Sequence, residues 1–194
     1  CLYFAKGICM VCQKFCPAEA IDFEQKERRT IVEVSSIIVA TGFDLLDPSI
    51  LPQYGYGRFE DVLTSLEYER MMNVTGPTGG EILRPSNKEK PEHIVFIQCV
   101  GSRNENVKPY CSQICCTYAA KQAIITKEHE PGIQVTILYN DLRARAKGHD
   151  EFIQRAEEEF GVRYVKGLPG EVYKDPETGK LVIQAIDIGE GRVK

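Results

Sequence analysis

The spacing of hydrophobic residues changes along the chain, and each change predicts a different element. Residues 30–42 are β-branched and apolar, which favours two short strands. The second strand, residues 36–40, is nearly all apolar and is expected to be buried on both faces. Residues 59–73 carry apolar side chains toward one side and predict an amphipathic helix.

From residue 92 onward, apolar runs alternate with helical patterns. This β-α-β-α-β order predicts a parallel sheet with right-handed crossovers. Two further segments on either side of a Pro-Glu-Thr-Gly turn predict an antiparallel hairpin. The predicted strands are residues 93–98, 133–139, 162–165, 171–173 and 181–188, and the predicted helices are residues 112–128 and 150–160.

Proline and glycine mark the predicted loops. Residues 44–58 hold two prolines and two glycines and are expected to form a loop. Residues 76–91 combine Gly-Pro and Gly-Gly pairs with two further prolines, which predicts a linker. We find no internal repeat.

Composition narrows the class of protein. The chain has 194 residues, of which 43% are hydrophobic and 27% charged, as in an ordinary globular protein of one domain or two small ones. A net charge of −4 argues against nucleic-acid binding. No apolar run reaches the roughly 18 residues of a membrane span, and no signal peptide is found. Because the sequence starts with Cys1, we expect an excised or processed piece.

Eight cysteines fall into two groups of four, and none lies between Cys16 and Cys99. We predict a cytoplasmic location, where disulfides are rare and cysteine clusters usually serve metal or redox chemistry. Four disulfides in a secreted protein are the competing explanation. The first group is Cys1, Cys9, Cys12 and Cys16, and the second is Cys99, Cys111, Cys115 and Cys116.

The first group has the spacing C-x7-C-x2-C-x3-C-P. Its last three cysteines and the proline match the ferredoxin run whose thiolates hold a [4Fe–4S] cluster. The first interval is longer than in that run, which weakens the case for Cys1 as a ligand. A zinc knuckle of four cysteines is the alternative.

The second group surrounds a strand end and the start of the next helix. Cys99 stands where a dinucleotide-binding fold has its first glycine, and no G-x-G-x-x-G follows, which argues against nicotinamide binding. On a helix, Cys111 and Cys115 would share one face. A helix N-terminus favours anions such as a thiolate-ligated cluster, so we predict a cluster site here. The alternatives are buried structural cysteines, a reactive thiol pair and a vicinal disulfide.

Asp141 follows the predicted strand at residues 133–139, where a ribose-binding carboxylate often stands in dinucleotide-binding folds. Because the glycine motif is missing, its position indicates only a loop acid.

Four segments together resemble the A subunit of heterodisulfide reductase, and the related adenylylsulfate-reductase-associated subunit is similar. The segments are residues 1–25 with the first cysteine run, residues 37–44 (IIVATGFD), residues 96–103 (FIQCVGSR) and residues 110–123 (YCSQICCTYAAKQA). The last two of these motifs are highly specific.

The resemblance implies an α/β fold with a Rossmann-like parallel sheet, similar to the FAD- and NAD(P)-binding domains of thioredoxin reductase, preceded by a ferredoxin-like remnant. The implied domains are residues 1–25 as a ferredoxin-like [4Fe–4S] segment, 26–75 as part of an FAD domain, 76–91 as linker and 92–194 as a Rossmann-like cluster-binding domain.

The resemblance also implies two flavin contacts. Ala40, Thr41 and Gly42 form the turn at which a strand end meets FAD, and Lys121 reaches the flavin ring. A cation there would favour the anionic reduced flavin. A plain strand-to-turn junction and a solvated lysine are the simpler alternatives.

The implied function is electron transfer through [4Fe–4S] clusters and FAD, as in flavin-based electron bifurcation. The implied partners are other subunits of a heterodisulfide reductase-like complex and an electron-donating hydrogenase or dehydrogenase. We expect no catalytic acid or base in this segment and no activity from it alone. Two alternatives stay open: a zinc-stabilised interaction module and an NAD(P)-dependent disulfide oxidoreductase.

Overall fold

A computed structural model describes residues 1–188 and 192–193. The chain divides into two compact units, Cys1–Phe43 and Asp44–Lys194. The domain boundaries predicted above stay predictions, and each unit is described by itself.

The first unit has little regular structure. It contains two short helices, α1 (Leu2–Lys6) and α2 (Val11–Lys14). The rings of Tyr3 and Phe23 stack with their centroids 4.3 Å apart, and Phe4 packs edge-on against both. None of residues 1–43, all of which the structure describes, is buried. This unit therefore depends on local turns and one aromatic contact.

The two strands predicted in residues 30–42 are wrong, because this segment is irregular and exposed. Ile38, expected inside a buried strand, is 91% exposed. A β-branched apolar sequence fits a sheet, but a strand forms only where a neighbouring strand accepts its hydrogen bonds. The structure provides this segment with no such partner among the described residues.

The second unit is built on a parallel sheet. The strand order is β1-β2-β3, with His93 opposite Gln134 and Thr136 opposite Arg163. Helices connect the consecutive strands, so the predicted β-α-β-α-β order and α/β class are confirmed. The elements are α3 (Ser65–Met72), β1 (His93–Ile97), α4 (Cys115–His129), β2 (Gln134–Tyr139), α5 (His149–Glu158) and β3 (Arg163–Lys166).

Helix α3 begins six residues later than the helix predicted from residue 59, because a capping box fixes its start. The Thr64 hydroxyl accepts a hydrogen bond from the Glu67 amide, and the Glu67 carboxylate accepts one from the Thr64 amide at 2.7 Å. This reciprocal pair satisfies two amides that a helix start otherwise leaves unpaired.

Helix α4 lies at the centre of the core. Ala119, Ala120 and Ala123 are fully buried, and small side chains let neighbouring elements approach the helix closely. The buried hydroxyl of Tyr68 on α3 lies 2.6 Å from that of Thr126 on α4. These contacts fix the direction in which the start of α4 points.

The segment predicted as a linker, residues 76–91, packs into the second unit. Ile82 is only 1% exposed and belongs to the hydrophobic core. The Asp61 carboxylate accepts hydrogen bonds from the Arg84 guanidinium at 2.9 Å and from the Ser86 amide at 3.0 Å. Polar and apolar contacts both hold this segment in place.

The predicted antiparallel hairpin is confirmed. Strand β4 (Pro169–Lys174) pairs with β5 (Leu181–Asp187), and β5 pairs with β6 (Arg192–Val193). Arg58 donates a hydrogen bond from Nη2 to the Val172 carbonyl at 2.8 Å, which joins the hairpin to the loop before α3.

Over residues 1–188 and 192–193, no helix has both the length and the apolar character needed to cross a membrane.

Candidate metal centre

The second cysteine group lies at the carboxyl end of the parallel sheet. Cys99 follows the end of β1 by two residues, and Cys115 and Cys116 are the first two residues of α4. Cys111 lies in the loop before that helix. In parallel α/β folds this end of the sheet is where ligands bind.

Helix α4 starts three residues later than predicted. Gln113 has a left-handed backbone, with φ of 65°, which an α-helix does not accommodate. The expectation that Cys111 and Cys115 share one helical face is therefore wrong. They approach the site from a loop and from a helix start instead.

The loop after β1 is tightly folded. Cys99 and Gly101 both have left-handed backbones, with φ of 58° and 71°. A Cβ added at Gly101 would lie 2.0 Å from Cδ2 of Leu46, which would have to move, and its left-handed backbone disfavours any other residue. Cys99 therefore lies in a tight turn directly after β1.

The cysteines of this group lie within electrostatic reach of one another. Burial raises the pKa of Cys99, and the charge of Cys115 raises it further, with a smaller contribution from Cys111. The Asn140 amide and the charge of the Arg103 guanidinium oppose this increase by lowering the pKa of Cys99. Cys99 therefore lies near enough to Cys115 and Cys111 for their charges to raise its pKa.

Cys115 and Cys116 form a hydrogen-bonded thiol pair inside the core. The hydrogen bond from Cys116 lowers the pKa of Cys115, although burial opposes the change. The same bond raises the pKa of Cys116, and burial adds to that increase.

Backbone amides surround these sulfur atoms. The Gln113 amide lies 3.3 Å from Sγ of Cys111, and the Arg143 amide lies 3.4 Å from Sγ of Cys116. Amides presented by left-handed residues and tight turns form concave sites that favour anions. Four cysteines, two of them with such donors, are compatible with a thiolate-ligated iron–sulfur cluster or with zinc, because soft sulfur ligands suit both.

Spacing separates a cluster from a single ion. Four thiolates around one zinc, each about 2.3 Å from it, lie about 3.8 Å from one another. Among the residues that the structure describes, no three His, Cys, Asp or Glu side chains are placed to hold one metal ion. The described thiols are thus not closed around a single ion in this structure.

The first cysteine group is much more open. Cys1, Cys9 and Cys12 are exposed, and only Cys16 is half-buried. The Ala20 amide lies 3.4 Å from Sγ of Cys16 and is the main cause of a lowered pKa at that thiol. Here too the chain after the Cys-Pro pair directs amides at a sulfur atom.

The residues predicted to contact flavin lie in different units. Ala40, Thr41 and Gly42 are exposed in the irregular end of the first unit. Lys121 lies on α4 in the second unit, where its Nζ forms an ion pair with Oε1 of Glu69. Their role toward flavin stays a prediction.

Sequence reasoning missed Arg103. Its Nη2 lies 2.9 Å from Oδ2 of Asp141, and its Nη1 is buried with no hydrogen-bond partner among the residues that the structure describes. Asp141 is therefore more than the loop acid that its sequence position indicates. An arginine four residues after Cys99 and an acid after the next strand were the available signals, but neither spacing specifies contact.

No family model matches the chain. Among curated proteins it is 44% identical over 186 residues to the A subunit of the H(2):CoB-CoM heterodisulfide,ferredoxin reductase of Methanothermobacter marburgensis, covering 95% of this chain and 28% of that protein. It is 46% identical over 171 residues to an iron-sulfur A subunit of the CoB--CoM heterodisulfide reductase of Methanopyrus kandleri, covering 88% of this chain and 26% of that protein.

A third relative is the A subunit of the Ferredoxin/F(420)H(2)-dependent CoB-CoM heterodisulfide reductase of Methanosarcina acetivorans. It is 45% identical over 177 residues, which cover 91% of this chain and 22% of that protein. The chain spans about a quarter of the length of these relatives. With this identity along nearly all of its sequence, the chain is similar to a region that makes up about a quarter of the heterodisulfide reductase A subunits.

Proposed function

We propose that this chain transfers electrons through [4Fe–4S] clusters as part of an oxidoreductase like the A subunit of heterodisulfide reductase. The observation that carries the proposal is the second cysteine group, whose four residues lie where β1 ends and α4 begins. The naming of relatives as iron–sulfur subunits of heterodisulfide reductase supports the same chemistry.

The residues of the second group would hold the cluster in distinct ways. Cys115 and Cys116 are buried in the core and would fix two corners, while the loop residues Cys99 and Cys111 would complete the set. A bound cluster accepts and releases single electrons. The chain's own contribution is to exclude water with α4 and to stabilise thiolates with the amides of Gln113 and Arg143.

A second [4Fe–4S] cluster is proposed on Cys1, Cys9, Cys12 and Cys16, in a ferredoxin-like segment of residues 1–25. The amides after Cys16 support this proposal, since they favour the thiolate form of that residue. FAD is proposed to contact Ala40, Thr41, Gly42 and Lys121. Residues 26–75 are proposed to be part of an FAD domain, and residues 92–194 a Rossmann-like domain.

The same reasoning extends to the setting of the chain. We expect other subunits of a heterodisulfide reductase-like complex as partners, a hydrogenase or dehydrogenase as electron donor, and a cytoplasmic location. Flavin-based bifurcation is the proposed overall reaction. We expect no activity from these residues alone, and electron transfer requires no catalytic acid or base among them.

Anaerobic purification with iron and sulfide analysis tests the proposal. We expect about eight irons and eight sulfides per chain, and the Cys115→Ser/Cys116→Ser variant to retain about four. The matched Cys9→Ser/Cys12→Ser variant would also retain about four, from the second group.

Zinc in place of iron and sulfide would overturn the proposal in favour of a structural module. If an iron-free protein instead oxidised NADPH or NADH while reducing a disulfide between Cys115 and Cys116, a disulfide oxidoreductase would be favoured.

A further inference from the structure

Arg103 has an unusual environment for a charged side chain. Its side chain is only 22% exposed, and Nη2 contacts Oδ2 of Asp141 at 2.9 Å. Its other terminal nitrogen, Nη1, is buried and makes no hydrogen bond to any described residue. A buried donor without a partner costs about 1–3 kcal/mol, so this placement calls for an explanation.

The turn that carries Arg103 is fixed by backbone hydrogen bonds. The Arg103 amide donates to the Tyr110 carbonyl at 3.0 Å, and the Lys108 amide donates to the Gly101 carbonyl at 3.1 Å. Arg103 itself has a left-handed backbone, with φ of 58°. Such strain in a residue other than glycine is typical of functional sites.

The guanidinium is held beside the second cysteine group. Arg103 follows Cys99 by four residues in the same loop. Its ion-pair partner Asp141 follows β2 by two residues, and the Asp141 carbonyl lies 3.8 Å from Sγ of Cys116. Arg103 is therefore fixed, through Asp141, next to a predicted sulfur ligand.

We infer that Arg103 is a positioning residue that sets the reduction potential of a cluster on Cys99, Cys111, Cys115 and Cys116, with Asp141 attenuating its charge. This inference rests on the proposed function. One-electron reduction adds one negative charge to the site without a proton. A partly buried cation beside a ligand stabilises that charge and raises the potential.

A purely structural role makes a different prediction. If Arg103 only ties the loop after β1 to the end of β2, breaking its ion pair from either side would have the same effect. If its charge acts on the cluster, removing Arg103 and neutralising Asp141 would shift the potential in opposite directions.

The test is a potentiometric titration with dithionite of the full chain, followed by the electron paramagnetic resonance signal of the reduced cluster. A Cys9→Ser/Cys12→Ser background confines the signal to the second group. In this background, we expect Arg103→Gln to lower the ratio of reduced to oxidised cluster about tenfold at a fixed potential, which is about 59 mV. Asp141→Asn is expected to raise it.

Arg155→Gln is the matched control. Arg155 forms an ion pair with Glu159 at 2.9 Å, and its loss changes the net charge equally. We expect a shift below about threefold, because no described contact links Arg155 to a cysteine. Arg103→Lys keeps the charge and is expected to recover part of the lost potential.

Two outcomes would overturn the inference while leaving the proposed function intact. One is an unchanged potential in Arg103→Gln and Asp141→Asn at full iron content. The other is a shift in the same direction in both. If the Cys9→Ser/Cys12→Ser protein holds neither iron nor sulfide, the proposed function is overturned, and this inference with it.

Discussion

The two cysteine groups contain four thiols each but obtain their order from different sources. The second group lies around a sheet edge and a helix start, and two of its thiols are part of the hydrophobic core. The first group lies on short helices and turns, with three exposed thiols. A metal site can thus be built into a fold that stands by itself, or can depend on the metal for its order.

The supporting residues show the same contrast. In the second unit, β2 and α4 bury Ile137 and three alanines almost completely. In the first unit, Phe4 and Phe15 are 72% and 81% exposed. The hydrophobic effect therefore stabilises the second unit strongly and the first unit very little.

Removal of the metal is expected to produce the largest difference between the two units, in the protection of their backbone amides. In cluster-free full chain, we expect residues 1–43 to lose nearly all amide protection, because no buried side chain holds them. Strands β1 and β2 are expected to stay protected by their core. Hydrogen exchange followed by mass spectrometry, with the cluster-loaded chain as control, measures both units at once.

Amides of β2 that exchange as fast as those of α1 in the cluster-free chain would contradict this contrast. The second group would then also depend on its metal for folding.

A matched pair of isoleucines tests the difference in packing. Ile137 is 1% exposed and Ile38 is 91% exposed. We expect Ile137→Ala to lower the free energy of unfolding by about 3 kcal/mol, since it leaves a cavity in the core. The control Ile38→Ala should change it by less than about 0.5 kcal/mol. Urea denaturation of the cluster-free chain, followed by circular dichroism, measures both values.

If Ile38→Ala proved as destabilising as Ile137→Ala, the description of residues 30–42 as unpacked would be incorrect.

Asp61 offers a smaller test of how firmly the second unit holds residues 76–91. Burial raises the pKa of Asp61, but the hydrogen bonds from Ser86 and the ion pair with Arg84 outweigh it, so the pKa is lowered. A lowered carboxyl pKa stabilises the fold above the unfolded pKa, and this contribution is lost as pH falls through the folded pKa.

We therefore expect Asp61→Asn to cost about 2 kcal/mol at pH 7, with the difference from the parent disappearing in acid below the folded pKa. Urea denaturation over a pH series measures this, and Asp44→Asn at an exposed position is the control. A difference that is the same at neutral and acid pH would show that charge at Asp61 plays no part.

Secondary structure in the second unit was largely predictable, whereas the first unit was not. The alternation of apolar runs and helical patterns predicted β1, β2, β3 and the hairpin, because each of these strands pairs with the strand next to it in the sequence. The same pattern in residues 30–42 predicted strands that do not form. Periodicity reports which side chains suit a sheet and does not supply the partner strand.

The periodicity of apolar residues also failed to predict where α3 and α4 start. Thr64 fixes one start through a capping box, and Gln113 delays the other through a left-handed backbone. Apolar spacing carries no information about either, since both depend on backbone geometry.

The sequence by itself determined the eight candidate ligands, their division into two groups and the α/β order of the second unit. These follow from residue type and local spacing, which need no knowledge of distant contacts. Only the tertiary structure decided that the charge of Cys115 affects Cys99, that the Arg143 amide lies 3.4 Å from Sγ of Cys116, and that Arg103 pairs with Asp141. Each of these contacts joins residues brought together by folding of the parallel sheet, and chain spacing does not encode which loops meet at its edge.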